Sequence, residues 1–253
     1  MNSRPVALAL AVFVTFLWST SWVLIKLGLD DLQLPPLSFA GLRYFLAALI
    51  LLPLALPALR RHAPWRGNGR LLGWVLLLGL LLYAVTQGAQ FAALVYLPSV
   101  AVALILSTTP VLVGVLSLRG ERASRLQVAG VGMLVVGAFL YFGPFELGEA
   151  AALGLAIAVC GMVANSLAAL LGRRLARDSV PQLGGVLSLT ALSMLVGSLA
   201  LLGGGLLLEG LPPLTGEAWL IIGWLAVVNT ALAFTLWNQS LRTLTAVESS
   251  VIN

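Results

Sequence analysis

Trp18, Trp22 and Lys26 follow one another at four-residue intervals in FLWSTSWVLIKLGL, with Ser19, Thr20 and Ser21 between the two tryptophans. On a helix, Thr15, Trp18, Ser19, Trp22 and Lys26 share one face and Ser21 lies beside it. Such a stripe suits the wall of a polar cavity, and Trp22 with Lys26 offers a cation–π pair. The competing reading is an aromatic belt with a snorkelling lysine, which fits Trp22 and Lys26 better than the deeper Trp18. Tyr83, Gln87 and Gln90 form a second stripe flanked by Thr86. It is either a hydrogen-bonding wall for a zwitterion or polar solute, or a set of interhelical hydrogen bonds. Asn165 and Ser166, and then Asn229, Thr230, Trp237 and Asn238, invite the same pair of readings.

Two charges need a purpose. Arg43 falls about 10 Å inside an apolar segment at the helical rise per residue, where a lipid-facing arginine would be costly. It either attracts a carboxylate or pairs with an acid such as Asp30. Glu248 is the one carboxylate inside an apolar segment, and it is either a proton carrier or a structural group at a helix end. Pro110, after Ser107, Thr108 and Thr109, predicts a kinked helix with its freed carbonyls satisfied again, and a flex point for gating. His62 sits alone among arginines and Cys160 is the single cysteine, so neither a metal site nor a disulfide framework is expected.

These residues must be held by membrane-spanning helices. Of the 253 residues, 60% are hydrophobic and 9% charged, whereas about a quarter are charged in soluble domains. Runs of about 20 apolar residues predict spans near 6–28, 36–56, 71–95, 100–118 and 126–142. A second series follows near 151–171, 182–208, 218–241 and from 246 onward. The first run is too long for a signal-peptide core and lacks a small-residue cleavage site. Twelve of the fourteen basic residues fall in loops on one side if the amino terminus is cytoplasmic, while Asp30, Asp31, Glu146, Glu149, Glu209 and Glu217 fall on the other. Lys26 and Arg43 are the exceptions. The positive-inside rule therefore predicts a cytoplasmic amino terminus.

An offset of 147 residues aligns LALAV at Leu8–Val12 with LAIAV at Leu155–Val159. In the same register Ser19 meets Ser166, Lys26 meets Arg173, Arg43 meets Thr190 and Leu94 meets Leu241. Two repeats are expected, at residues 1–142 and 143–253. Each holds an odd number of spans, so they must insert in opposite orientations. Inverted repeats are a transporter device, with the substrate site near the midplane between them. The second repeat is expected to be cut short within its fourth span. Small residues at Ala164, Ala168 and Gly172 would allow close helix packing.

Several motifs resemble the EamA-type family of the drug/metabolite transporter superfamily. WSTSWVLIKLGL is similar to the family's opening helix. PPLSFAGLRYFLAALILLPLAL, Pro35–Leu56, is similar to its second helix, with Arg43 at the family's arginine position. GERASRLQVAGVGMLVVGAFLY, Gly120–Tyr141, resembles the junction and glycine-rich fifth helix that close a repeat, and LWNQSLRTLTAVESSVIN resembles the hairpin of helices eight and nine. Asn165 departs from the tryptophan of many second repeats. The resemblance implies an all-α integral membrane protein of ten helices in two inverted five-helix repeats. Its central cavity would be lined by helices one to four and six to nine.

The function expected is secondary transport of a small metabolite by alternating access, foremost export of an amino acid or related compound. Efflux of cationic drugs is the alternative, disfavoured because residues 6–28 hold no acid. A membrane-embedded enzyme would need clustered His, Asp and Glu or a Ser/His pair at one depth, which a single histidine does not supply. There is no phosphate-binding loop, and no cofactor is expected. The lipid bilayer and a metabolite are the expected partners, nucleic acid is not, and a monomer in a bacterial inner membrane is the default.

Overall fold

The computed structural model describes residues 4–63, 69–116, 149–240, 243–244 and 252, with isolated positions between 129 and 140, and only the backbone of 115, 177 and 238. The expected spans at 126–142 and from 246 onward, Glu248 and the side chain of Asn238 lie outside the described residues. Every described element is helical, and there is no strand among them. Six helices are long and apolar enough to cross a bilayer: α1 (Arg4–Asp30), α2 (Pro36–His62), α3 (Gly69–Tyr96), α6 (Glu149–Asp178), α8 (Val186–Leu208) and α9 (Gly216–Trp237). Between them lie the short α4 (Ser99–Ser107), α5 (Thr109–Leu116) and α7 (Val180–Leu183).

Local chemistry sets most boundaries. Pro35 and Pro36 open α2, where the missing N–H costs nothing, and the helix ends on Ala63 in the left-handed region (φ 39°). α2 runs past Pro53 and Pro57 to His62, further than the apolar run suggested. The seventh span starts at Val186 rather than Gln182. Gly184 (φ 78°) and Gly185 (φ 139°) take backbone angles that other residues avoid, and this stops α7 and turns the chain. The fourth span is broken in two at Thr108. There the hydroxyls of Ser107, Thr108 and Thr109 donate to the carbonyls of Leu104, Ile105 and Leu106 at 2.6–2.7 Å. The Leu106 carbonyl is the one that Pro110, having no N–H, would otherwise leave open.

Lys26 near the end of α1 donates to the Leu94 carbonyl at 2.8 Å, so α1 and α3 finish at the same end of the bundle. α6 begins there, since a side chain on Gly154 would meet Tyr96 and Leu97. It therefore runs opposite to α1, with which the 147-residue register pairs it. α2 and α8 cross at the centre in close contact: a Cβ on Gly41 would lie 2.5 Å from the Leu202 Cα, and one on Gly205 2.5 Å from the Ser38 nitrogen. α1 packs on α9, and α3 on α6. One end of the bundle carries Arg4, Arg60, Arg61, Arg70 and Arg174, and the other Asp30, Asp31, Glu149, Glu209 and Glu217. Apolar clusters fill the space between, around Phe39 and Phe91 near the acidic end, Tyr44 and Met194 at the centre, and Leu71 and Leu183 near the basic end.

Candidate functional site

Each of two helices contains one wide π-helical segment, Leu80–Thr86 in α3 and Val227–Leu232 in α9. Their starts, residues 80 and 227, are 147 apart, so the widening recurs in the repeat register. In each segment a threonine satisfies a carbonyl five residues back: Thr86 donates to Leu81 and Thr230 to Leu225, both at 2.8 Å. Such bulges cost regular hydrogen bonding and often mark functional positions.

Arg43 and Tyr44 on α2 lie between these segments. Arg43 is 3% exposed. Its Nε donates to the Thr230 hydroxyl at 2.8 Å and its Nη2 reaches the Asn229 carbonyl at 3.5 Å. Its guanidinium carbon is 5.0 Å from the Tyr44 ring centre and 6.0 Å from that of Phe91. The rest of its five N–H donors have no hydrogen-bond partner among the described residues. The expected alternative partner, Asp30, is engaged elsewhere: its carboxylate is 3.1 Å from Lys26 Nζ. Among the described residues Arg43 has no ion pair.

Tyr44 donates to Gln87 Oε1 at 2.6 Å, and its ring lies 5.6 Å from that of Tyr83. Tyr83 continues to Phe234 at 5.6 Å, Phe234 to Trp18 at 5.3 Å and Trp18 to Trp237 at 5.1 Å. A file of aromatic rings thus joins α2, α3, α9 and α1 beside the arginine. Asn229 is fully buried and donates through Nδ2 to the Leu17 carbonyl and to the Thr20 hydroxyl. Among the described residues its Oδ1 has no partner, and neither does the buried Ser21 hydroxyl.

Of the residues singled out by sequence, the structure brings together Trp18 with Trp237, and Tyr83 and Gln87 with the Arg43–Tyr44 pair. Trp22 packs against the apolar cluster at the acidic end. Three others, Ser19, Lys26 and Asn165, differ from expectation. Ser19 is exposed on the outward stripe with Val12, Phe16 and Val23, and its hydroxyl returns to the Phe16 carbonyl at 2.7 Å. Lys26 forms no cation–π pair with Trp22, because Asp30 one turn on and the open Leu94 carbonyl offer stronger partners. Asn165 donates to Thr109 at 3.3 Å, at the break before Pro110, away from Arg43. Gln90, by contrast, has no hydrogen bond among the described residues, so the interhelical bond weighed against cavity lining is not seen there. Sequence reasoning passed over Tyr44 and Phe234, although Tyr44 adjoins Arg43 in the chain. It also passed over Glu209, whose carboxylate accepts from the Leu37 and Ser38 N–H groups at 2.9–3.1 Å.

The fold and centre are those of a two-repeat helical membrane protein with its polar groups gathered where the repeats meet. The EamA-like transporter family matches residues 5–143 and 152–253, and the chain belongs to that family. No curated protein matches it. A solved crystal structure, described only as that of a protein, is similar over 99% of this chain and 84% of its own, with a TM-score of 0.70 and 22% identity. That likeness concerns the fold alone.

Proposed function

We propose that this membrane transporter is a secondary exporter of a carboxylate-bearing metabolite, foremost an amino acid, bound between its two repeats. The observation that carries this is Arg43, a buried guanidinium with open donors and no ion pair among the described residues. A cation so placed is costly in a membrane interior, and a substrate carboxylate is the planar, two-oxygen anion its fork is shaped to take. Asn229 Oδ1 and the Ser21 hydroxyl, both buried and without a partner among the described residues, supply the acceptors that an ammonium group needs. Trp18, Trp22, Tyr83, Gln87, Gln90 and Trp237 would line the path, with Asn238 beside them, while Pro110 and Glu248 would serve gating or coupling.

In this reading residues 1–142 and 143–253 rock against each other as inverted repeats. The basic end faces the cytoplasm of a bacterium and the amino terminus lies inside. A second reading, efflux of organic cations, is favoured by one feature, the aromatic file from Tyr44 to Trp237. Flux into vesicles separates the two. The purified protein, reconstituted with and without a pH gradient, is expected to move amino acids and not cationic dyes. Dye flux without amino-acid flux would reverse the assignment.

A further inference from the structure

Two surface hollows lie at opposite ends of the bundle, and the repeat register superposes them. The hollow at the acidic end has a volume of about 310 Å³ and is lined by Leu27, Asp31, Leu32, Glu217, Leu220 and Ile221. The hollow at the basic end, about 190 Å³, is lined by Arg70, Trp74, Leu171, Arg174, Asp178 and Gln182, among others. An offset of 147 carries Leu27 to Arg174, Asp31 to Asp178 and Leu32 to Ser179, and it carries Arg70 to Glu217 and Trp74 to Ile221. The same cleft between helix ends therefore occurs twice, and its aspartate occurs twice. The two arginines occur once. Because the backbone setting is shared, the fold does not impose them, and the difference belongs to what each end meets.

We infer that the cleft between the start of α3 and the end of α6 binds the phosphate headgroup of an anionic phospholipid. Arg70 and Arg174 are exposed, and neither has an ion pair among the described residues. Gln182 and Ser179 line the same cleft, and Leu71, Leu171 and Leu175 give it an apolar wall. Trp74, 39% exposed, has the amphipathic ring that settles at headgroup depth. Basic clefts between spanning helices on the positive side of a membrane suit such headgroups. The volume falls below the about 300–1,000 Å³ of pockets that enclose a soluble ligand. A headgroup needs less, because its acyl chains stay in the bilayer.

Native mass spectrometry of the purified chain, titrated with phosphatidylglycerol or phosphatidylcholine, tests this. The wild type is expected to retain phosphatidylglycerol preferentially. Arg70→Gln and Arg174→Gln are each expected to lower its retention about fivefold, with Arg70→Lys and Arg174→Lys keeping most of it. Glu217→Gln in the matching cleft should leave retention unchanged. Should the glutamine variants not fold, Asp178→Asn decides, since removing that charge is expected to tighten retention about fivefold. Equal retention by wild type and glutamine variants, or no change in Asp178→Asn, would overturn the inference. So would saturation of the cleft by soluble glycerol 3-phosphate in detergent, which would assign it to a free phosphate compound.

Discussion

Thr230 makes two hydrogen bonds, accepting one from Arg43 Nε while donating the other to the Leu225 carbonyl. That fixes where the guanidinium can point. Thr230→Val keeps the shape of the side chain and removes the acceptor. We expect the transport KM to rise about tenfold, the worth of one hydrogen bond to a charged group, while the amount inserted stays near wild type. An unchanged KM in the flux assay would detach Thr230 from the site. Trp18 holds Phe234 and Trp237 at once, so Trp18→Ala should lower thermal stability and flux together. Arg43 and Trp18 were legible in the sequence because charge and ring size stand out in an apolar run. Tyr44 was not, since a tyrosine beside an arginine carries no sign of which neighbour will accept its proton. Lys26 and Ser19 were misplaced because a three- or four-residue spacing marks a face without saying which partner the face meets.

At the scale of elements, the features hardest to read were those made between distant segments. The first N–H groups of α2 lie after Pro35 and have no local side-chain cap. They are satisfied by Glu209, 172 residues away, and Ser38 returns a hydrogen bond to the Gly210 carbonyl at 3.0 Å. A carboxylate at a helix N-terminus both caps and complements the dipole. Glu209→Gln is therefore expected to destabilise the folded protein by about 1 kcal/mol, seen as a lower midpoint of thermal unfolding in detergent. No shift would mean that water serves those N–H groups equally well. The two π-helical segments have no local sequence signature either. What exposes them is the repeat register, which places a second widening where the first one predicts it.

At the scale of the whole molecule, the long apolar runs gave α1, α2, α3, α6, α8 and α9 close to their observed positions, because in lipid only internally bonded helices can satisfy the backbone. The break of the fourth span at Thr108 was legible from Pro110 and the three hydroxyls before it rather than from the apolar run, and those hydroxyls do replace the lost backbone bonds. Charge is sorted between the two ends of the bundle, so a cysteine at Arg61 is expected to react with a membrane-impermeant thiol reagent only from the cytoplasmic side, and one at Asp31 only from outside. The reverse labelling would invert the orientation. The meeting of the repeats at Arg43 is the centre of the functional reading, and ligand-induced thermal stabilisation reports on it directly. The wild type is expected to be stabilised by an amino acid it transports and not by the amine that lacks its carboxylate, and Arg43→Gln by neither. Stabilisation of Arg43→Gln equal to that of the wild type would contradict a carboxylate site at Arg43.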